Sequence, residues 1–425
     1  MTADPSRTLS DWLARLEKLH PSAIALGLER VRQVKDAMEL APAFPVLVVG
    51  GTNGKGSTCA ILDAILRAAG YRTGLYTSPH LLRYNERVRV AGREASDAEL
   101  VAAFEHVDAA RGGTSLTYFE FGTLAAMRQF VDAEVDVAIL EVGLGGRLDA
   151  VNLFDADVAI VTGVDLDHMD YLGDTREAIG FEKAGIYRAG RPAVCADPDP
   201  PATLCDHARR IGADLRRLGR EFSFAAGEAA WAYHGPAWHW HALPLPALAG
   251  PVQLRNAAGA LAVLEAARDA LPVDAAAIRA GLATARIAGR FQRIATAPDV
   301  IVDVAHNPDA ARALAATLRA NPVPGRTLAV VGMLADKDAA GVFAALAGCV
   351  DAWWTCTPDS ARARDAASLA AALREHAGDA PVAVEPGVAS ALAAAREAAR
   401  EGDRILVFGS FYTVAAVLDH AATQQ

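Results

Sequence analysis

The chain has 425 residues, 52% of them hydrophobic, with 41 basic against 51 acidic side chains and a formal charge of −10. That length exceeds one ordinary domain and points to two globular ones, while the acidic balance and the lack of any long Lys/Arg run speak against a nucleic-acid partner. The N-terminal stretch Met1–Arg7 has no signal-peptide core and no apolar run approaches a membrane span; Cys59, Cys195, Cys205, Cys349 and Cys356 form no CxxC pair, and together these features predict a soluble cytoplasmic protein.

The first predicted strand, Val46–Val49, runs into Gly50-Gly51-Thr52-Asn53-Gly54-Lys55-Gly56-Ser57-Thr58 and then into a helical segment from Cys59 to Ala69. Glycines let successive N–H groups curl around a phosphate, a lysine adds a point charge, and a hydroxyl can ligate magnesium; a helix N-terminus behind them also favours an anion. The order predicts a nucleoside-triphosphate site. It departs from the general P-loop pattern in that Gly56 separates Lys55 from Ser57.

Further strands are predicted at Thr73–Thr77, Val135–Val142, Val158–Val164 and Pro192–Ala196, alternating with helical segments. Such alternation implies a mainly parallel sheet covered by helices, with ligands beyond the carboxyl ends of the strands. Gly54, Glu141 and the Asp165–His168 segment lie there. Residues Glu221–Pro246, with Phe222, Phe224, Trp231, Tyr233, Trp238 and Trp240, read as a small antiparallel excursion. His239 and His241 share a strand face; they are either half-exposed strand histidines or part of a metal site lacking a third ligand. A helix follows at Val252–Asp269, and the pattern breaks at Ala285–Phe291, where a hinge is expected.

A second series of strands is predicted at Val300–Val304, Thr327–Met333, Asp351–Thr355, Val382–Val384 and Arg404–Phe408, separated by alanine-rich helices. The expected fold is α/β in two domains. Residues 1–288 form a P-loop ATPase-type domain with a mainly parallel sheet, and residues 289–425 a Rossmann-like α/β domain.

Several segments in this order resemble the folylpolyglutamate synthase family, within the Mur ligase superfamily, and especially its bifunctional bacterial branch. They are Leu19–Val31, Gly51–Thr58, Thr77–Leu81, Leu116–Thr123, Leu140–Ala150, Asp167-His168, Glu182–Ile186, Gly289–Phe291, Asp303–Pro308 and Gly409-Ser410, which together span nearly the whole chain. The resemblance implies an ATP-dependent amide ligase that adds L-glutamate to dihydropteroate and to reduced folates. In that chemistry the γ-phosphoryl group of ATP first activates the acceptor carboxyl as an acyl phosphate, which the glutamate amine then displaces.

By the same resemblance, Gly54, Lys55, Gly56, Ser57, Asn256, Arg290 and Asp303 bind ATP, and Ser57, Ser78, Glu141 and His168 hold Mg²⁺. A carboxylate is a natural ligand for this hard cation and histidine a less usual one; a hydrogen-bonded helix-start histidine is the competing reading of His168. Lys55, Lys183 and His306 are implied in catalysis. Lys183 is expected to be carbamylated, which requires a neutral and therefore desolvated amine. The pterin is expected under the loop Ile24-Ala25-Leu26-Gly27, beside Phe119, Glu120, Phe121, Gly122, Arg147, Leu148 and Asp149, with either phenylalanine also readable as plain helix core. Arg290 is expected to reach the phosphates on domain closure. Competing readings are a monofunctional folylpolyglutamate synthase, a Mur-type peptide ligase and, from another class, a nucleotide-hydrolysing switch. The implied partners are small molecules only, with no membrane and no nucleic acid, and a monomer is expected.

Overall fold

The computed structural model describes residues 7–22 and 24–423; the Met1–Ser6 stretch, read above as free of a signal core, lies outside them. Contacts divide the chain into two compact units, Met1–Ala247 with Leu254–Arg286, and Leu248–Gln253 with Ile287–Gln425.

The first unit is built on eight strands: β1 (Val46–Gly50), β2 (Thr73–Tyr76), β3 (Val88–Val90), β4 (Arg93–Glu94), β5 (Val137–Glu141), β6 (Val158–Val161), β7 (Pro192–Cys195) and β8 (Asp214–Arg217). Their order across the sheet is β4-β3-β2-β5-β1-β6-β7-β8. All neighbours from β2 to β8 run parallel, and the short β3 and β4 add an antiparallel edge. The continuous apolar runs of β1, β5 and β6 are buried along their whole length, as strands covered on both faces must be. Each fully buried valine, leucine or isoleucine there contributes about 1.5–3 kcal/mol relative to exposure.

Several expected strands overrun the observed ones, two of them by three residues. The Val158–Val164 run stops at Val161 because Thr162 turns its hydroxyl to the carbonyls of Asn53, 2.6 Å away, and Gly50. The Val135–Val142 run starts at Val137, since the Val135 amide bonds back to Phe130 at the end of the helix Tyr118–Asp132.

The aromatic excursion is a separate three-stranded antiparallel sheet, β9 (Ser223–Ala226), β10 (Ala230–His234) and β11 (His239–Pro244). Its hairpin is fixed by the buried Glu265 of the helix Val252–Ala266, whose carboxylate accepts from Tyr233 Oη at 2.7 Å and from the amides of Ala237 and Trp238 at 2.5 Å. His234 on β10 stands beside His239 and His241, with ring centroids 5.7 and 5.3 Å apart, so a third histidine is present. Even so, among the described residues no group of three or more His, Cys, Asp or Glu is arranged to hold a metal ion.

The second unit carries β12 (Gln292–Thr296), β13 (Asp299–Asp303), β14 (Thr327–Val331), β15 (Ala352–Cys356), β16 (Val382–Glu385) and β17 (Arg404–Phe408), in the order β12-β13-β17-β14-β15-β16. Only β12, at the edge, is antiparallel. Its core includes Ile301, Leu314, Val331, Phe343, Trp353 and Phe408. Among the described residues no helix is long and apolar enough to cross a membrane.

Candidate active site

The glycine-rich loop leaves the carboxyl end of β1 and enters the helix Lys55–Ala68, whose N-cap is Gly54 in the left-handed region at φ 89°. A side chain at Gly54 would place its Cβ 2.6 Å from Asn256 Oδ1, and one at Gly51 would overlap Thr162 Oγ1, so the loop tolerates only glycine at both points. The loop is tied to the end of β6. Thr52 N donates to Gly163 O at 2.8 Å, Thr52 Oγ1 donates to Asp165 O, and Thr162 Oγ1 donates to Asn53 O. The Lys55 ammonium donates to Gly51 O and Thr52 O at 3.0 and 3.1 Å, which lays it along the loop. Ser57 is buried in the first helical turn, and Asn256 stands against Gly54.

Parallel register sets Glu141, the last residue of β5, opposite Val49 at the end of β1. Glu141 is 5% exposed and its carboxylate accepts the Ser78 backbone amide at 3.1 Å, which brings the two residues together. His168 caps the short helix Met169–Leu172 from a left-handed conformation; its ring is 41% exposed and lies 4.0 Å from the Asp167 carboxylate.

Lys183 sits in the last turn of the helix Arg176–Ala184 and is 4% exposed. Burial, reinforced by the nearby positive charge of Lys55, pushes its amine down to about 7, against an opposing pull from Asp167 and Asp149. Asp149, also buried, is pushed up to about 6 by desolvation, although its carboxylate accepts the amides of Leu144 and Val151 at 2.8 and 3.0 Å. The loop bearing Arg147, Leu148 and Asp149 packs directly on that helix end: Arg147 N donates to Glu182 O, and its guanidinium pairs with Glu182 at 2.8 Å and covers the Phe181 ring.

The acceptor residues named from the sequence divide into two groups. Ile24 and Leu26 are 40% and 37% exposed on their loop, and Phe119 is half-buried, with Tyr76 beside it at 5.8 Å and the Gly143 backbone against its ring. Phe121 instead is fully buried between Trp12 and Phe104, at 6.2 and 5.7 Å, so helix-core packing accounts for it and its face is not open for stacking. Glu120 is buried in the capping box of its helix with Thr117 and pairs with Arg30, and a Cβ at Gly122 would overlap the Tyr84 hydroxyl. Of these helix positions, Phe119 is the half-buried one, while Glu120 and Phe121 are buried.

In the second unit, Asp303 ends β13 and accepts the amides of Phe291 and Ala305, both at 2.8 Å. Burial raises its carboxyl, while the charge of Arg290 acts the other way. The Arg290 guanidinium lies 5.6 Å over the ring of Phe411, and His306 approaches the same ring at 6.2 Å while its Nδ1 stands 2.8 Å from Val304 O. Phe411, which follows the Gly409-Ser410 pair, was not singled out from the sequence.

A triphosphate loop at the end of a parallel sheet, a buried carboxylate on the next strand and a second parallel α/β unit define an ATP-dependent ligase of the Mur type. The sequence model of the Mur ligase middle domain matches residues 49–212, and that of the Mur ligase, glutamate ligase domain matches residues 289–411. The dihydrofolate synthase/folylpolyglutamate synthase of Escherichia coli K12 is 48% identical over 419 residues, covering 98% of this chain and 96% of that protein. Escherichia coli FolC in complex with DHPP and ADP superimposes with a TM-score of 0.94 at 47% identity, covering all of both chains. The Yersinia pestis bifunctional enzyme complexed with AMPPNP and Mn gives a TM-score of 0.92 at 46% identity, again over all of both chains. The chain belongs to the dihydrofolate synthase/folylpolyglutamate synthase family.

Proposed function

We propose that this ligase joins L-glutamate to dihydropteroate, giving dihydrofolate, and to reduced folates, giving folylpolyglutamates, at the cost of ATP. The observation that carries the reading is the Gly51–Ser57 loop placed beside the buried Glu141 carboxylate at the ends of two adjacent strands.

In this reading the loop amides, Lys55 and the N-terminus of its helix hold the triphosphate while an acceptor carboxylate oxygen attacks the γ-phosphorus and ADP leaves. The glutamate nitrogen then attacks the acyl carbon, phosphate departs with the C–O bond pair, and the amine proton passes to solvent. We assign ATP to Gly54, Lys55, Gly56, Ser57, Asn256, Arg290 and Asp303, and assign His306 to orienting the glutamate. The pterin is assigned to the Ile24–Gly27 loop, Phe119, Arg147, Leu148 and Asp149.

The donor set fits magnesium: a buried carboxylate at Glu141 and hydroxyls at Ser57 and Ser78 are hard oxygens, joined by His168, and this cation usually takes only one or two carboxylates with water and phosphate as its remaining ligands. Bound there, the ion supplies neutralising charge to the phosphate oxygens. We further propose that Lys183 carries CO₂ as a carbamate, because its buried amine is held near 7 and is thus available as the neutral nucleophile. Intact-mass measurement of active enzyme tests this, and an unmodified mass rejects it.

The domain assignment is 1–288 for ATP and pterin and 289–425 for the glutamate-ligase half, supported by the two family matches. The acidic balance, a net charge of −10, speaks against a nucleic-acid partner; we further propose a cytoplasmic monomer that does not act on membranes, and light scattering tests its oligomeric state. The deciding experiment is ADP release with ATP, Mg²⁺ and L-glutamate, offering dihydropteroate and tetrahydrofolate separately. Turnover of both establishes the bifunctional ligase, turnover of tetrahydrofolate alone reduces it to a polyglutamylating enzyme, and turnover of neither rejects the reading.

A further inference from the structure

The loop Ile24–Gly27 presents two exposed apolar side chains, and loops of this kind need something to hold their backbone in place before a ligand can use them. The structure supplies one holder. Arg30, in the first turn of the helix Glu29–Ala37, directs its Nη2 to the carbonyl of Ala25. The same guanidinium donates from Nε to Glu120 Oε2 at 2.9 Å and sets Nη2 2.9 Å from Glu120 Oε1.

Glu120 is itself buried and held by several donors. Its side chain is 5% exposed and its Oε2 accepts both the amide and the hydroxyl of Thr117, at 2.8 and 2.9 Å, closing the N-terminal turn of the helix that carries Phe119. The planar fork of an arginine can serve a carboxylate and a carbonyl at once, which a lysine ammonium on its single flexible stem does poorly.

We propose that Arg30 is a positioning residue for acceptor binding, a latch that fixes the Ile24–Gly27 loop to the Phe119 helix through Ala25 and Glu120 without touching the acceptor. The proposal rests on the reading that the pterin lies under this loop. Breaking the latch loosens the loop and weakens binding of dihydropteroate and tetrahydrofolate alike, while ATP, held by other elements, is bound as before.

The test uses Arg30→Met, which removes the fork, and Arg30→Lys, which retains a positive charge beside Glu120 and so guards against simple loss of folding. Hydrogen exchange at the amides of residues 24–28 is compared with KM for each acceptor and for ATP. The expected result is faster exchange in both variants and acceptor KM raised by about 10- to 100-fold, the range for losing a charged hydrogen bond, with the KM of ATP unchanged. Unaltered exchange at these amides in Arg30→Met overturns the latch, as does an equal rise in the KM of ATP. Faster exchange with unchanged acceptor KM leaves the latch standing and overturns the placement of the pterin beneath the loop.

Discussion

The ammonium of Lys55 acts on the amine of Lys183: burial does most to disfavour a charge at Lys183, and the positive charge of Lys55 adds to it, so that the amine titrates near 7 rather than at its ordinary 10.5. A lysine whose folded value is depressed destabilises the native state fully at pH below that value, and the penalty is relieved as pH rises toward the unfolded value. In CO₂-free buffer, the stability advantage of Lys183→Met over the parent chain is therefore expected to be constant below about pH 7 and to shrink steadily above it. Urea unfolding of both proteins across that range measures it, and a pH-independent difference disproves the depressed amine.

Lys55→Ala and Glu141→Ala are expected to lower the rate of ADP formation by at least about 10²–10³-fold, the scale for removing one charge-stabilising contact from a transition state. Melting temperatures should stay close to that of the parent, because neither side chain fills the apolar core. Near-normal turnover in both would overturn the site.

Gly51→Ala tests the loop rather than its charges. The new Cβ collides with Thr162 Oγ1, which is committed to Asn53 and Gly50 and so resists displacement. A loss of about 1–3 kcal/mol of stability is expected from the forced backbone, together with weaker ATP binding, read by urea unfolding and nucleotide titration.

Phe411→Leu should act on two ligands at once, since Arg290 and His306 both use this ring. A half-exposed cation–π contact is worth about 0.5–1 kcal/mol, so KM for ATP should rise by about 2- to 5-fold. A parallel rise for glutamate would follow from the movement of His306; steady-state kinetics with each substrate varied decides it.

The strands that carry the site were legible because burial on both faces writes itself as unbroken apolar runs, as in Val137–Glu141 and Val158–Val161. Most strands toward the edges were not, although the edge strand β16 was: β3, β4, β8 and β12 are short or half-solvated, and Arg93-Glu94 has no apolar pattern to detect. Among the candidate site residues, the loop and Glu141 could be singled out from local sequence, whereas Lys183, by itself an ordinary helix lysine, was named only through the family resemblance. Phe121 did not, because a phenylalanine in a helix looks the same whether its neighbours are Trp12 and Phe104 or a ligand. Arg30 was equally opaque, since its partner Glu120 lies 90 residues away.

The tie between Thr162 and Asn53 spans 109 residues, and that between Thr52 and Asp165 spans 113. Both strands flanking β1 likewise come later in the chain. During synthesis, then, the phosphate loop leaves the ribosome long before the segment that gives it shape. A nascent chain that has not yet extended past Asp165 carries the whole nucleotide motif but lacks the partners that hold it, so the loop cannot take its folded shape until the centre of the first sheet is in place.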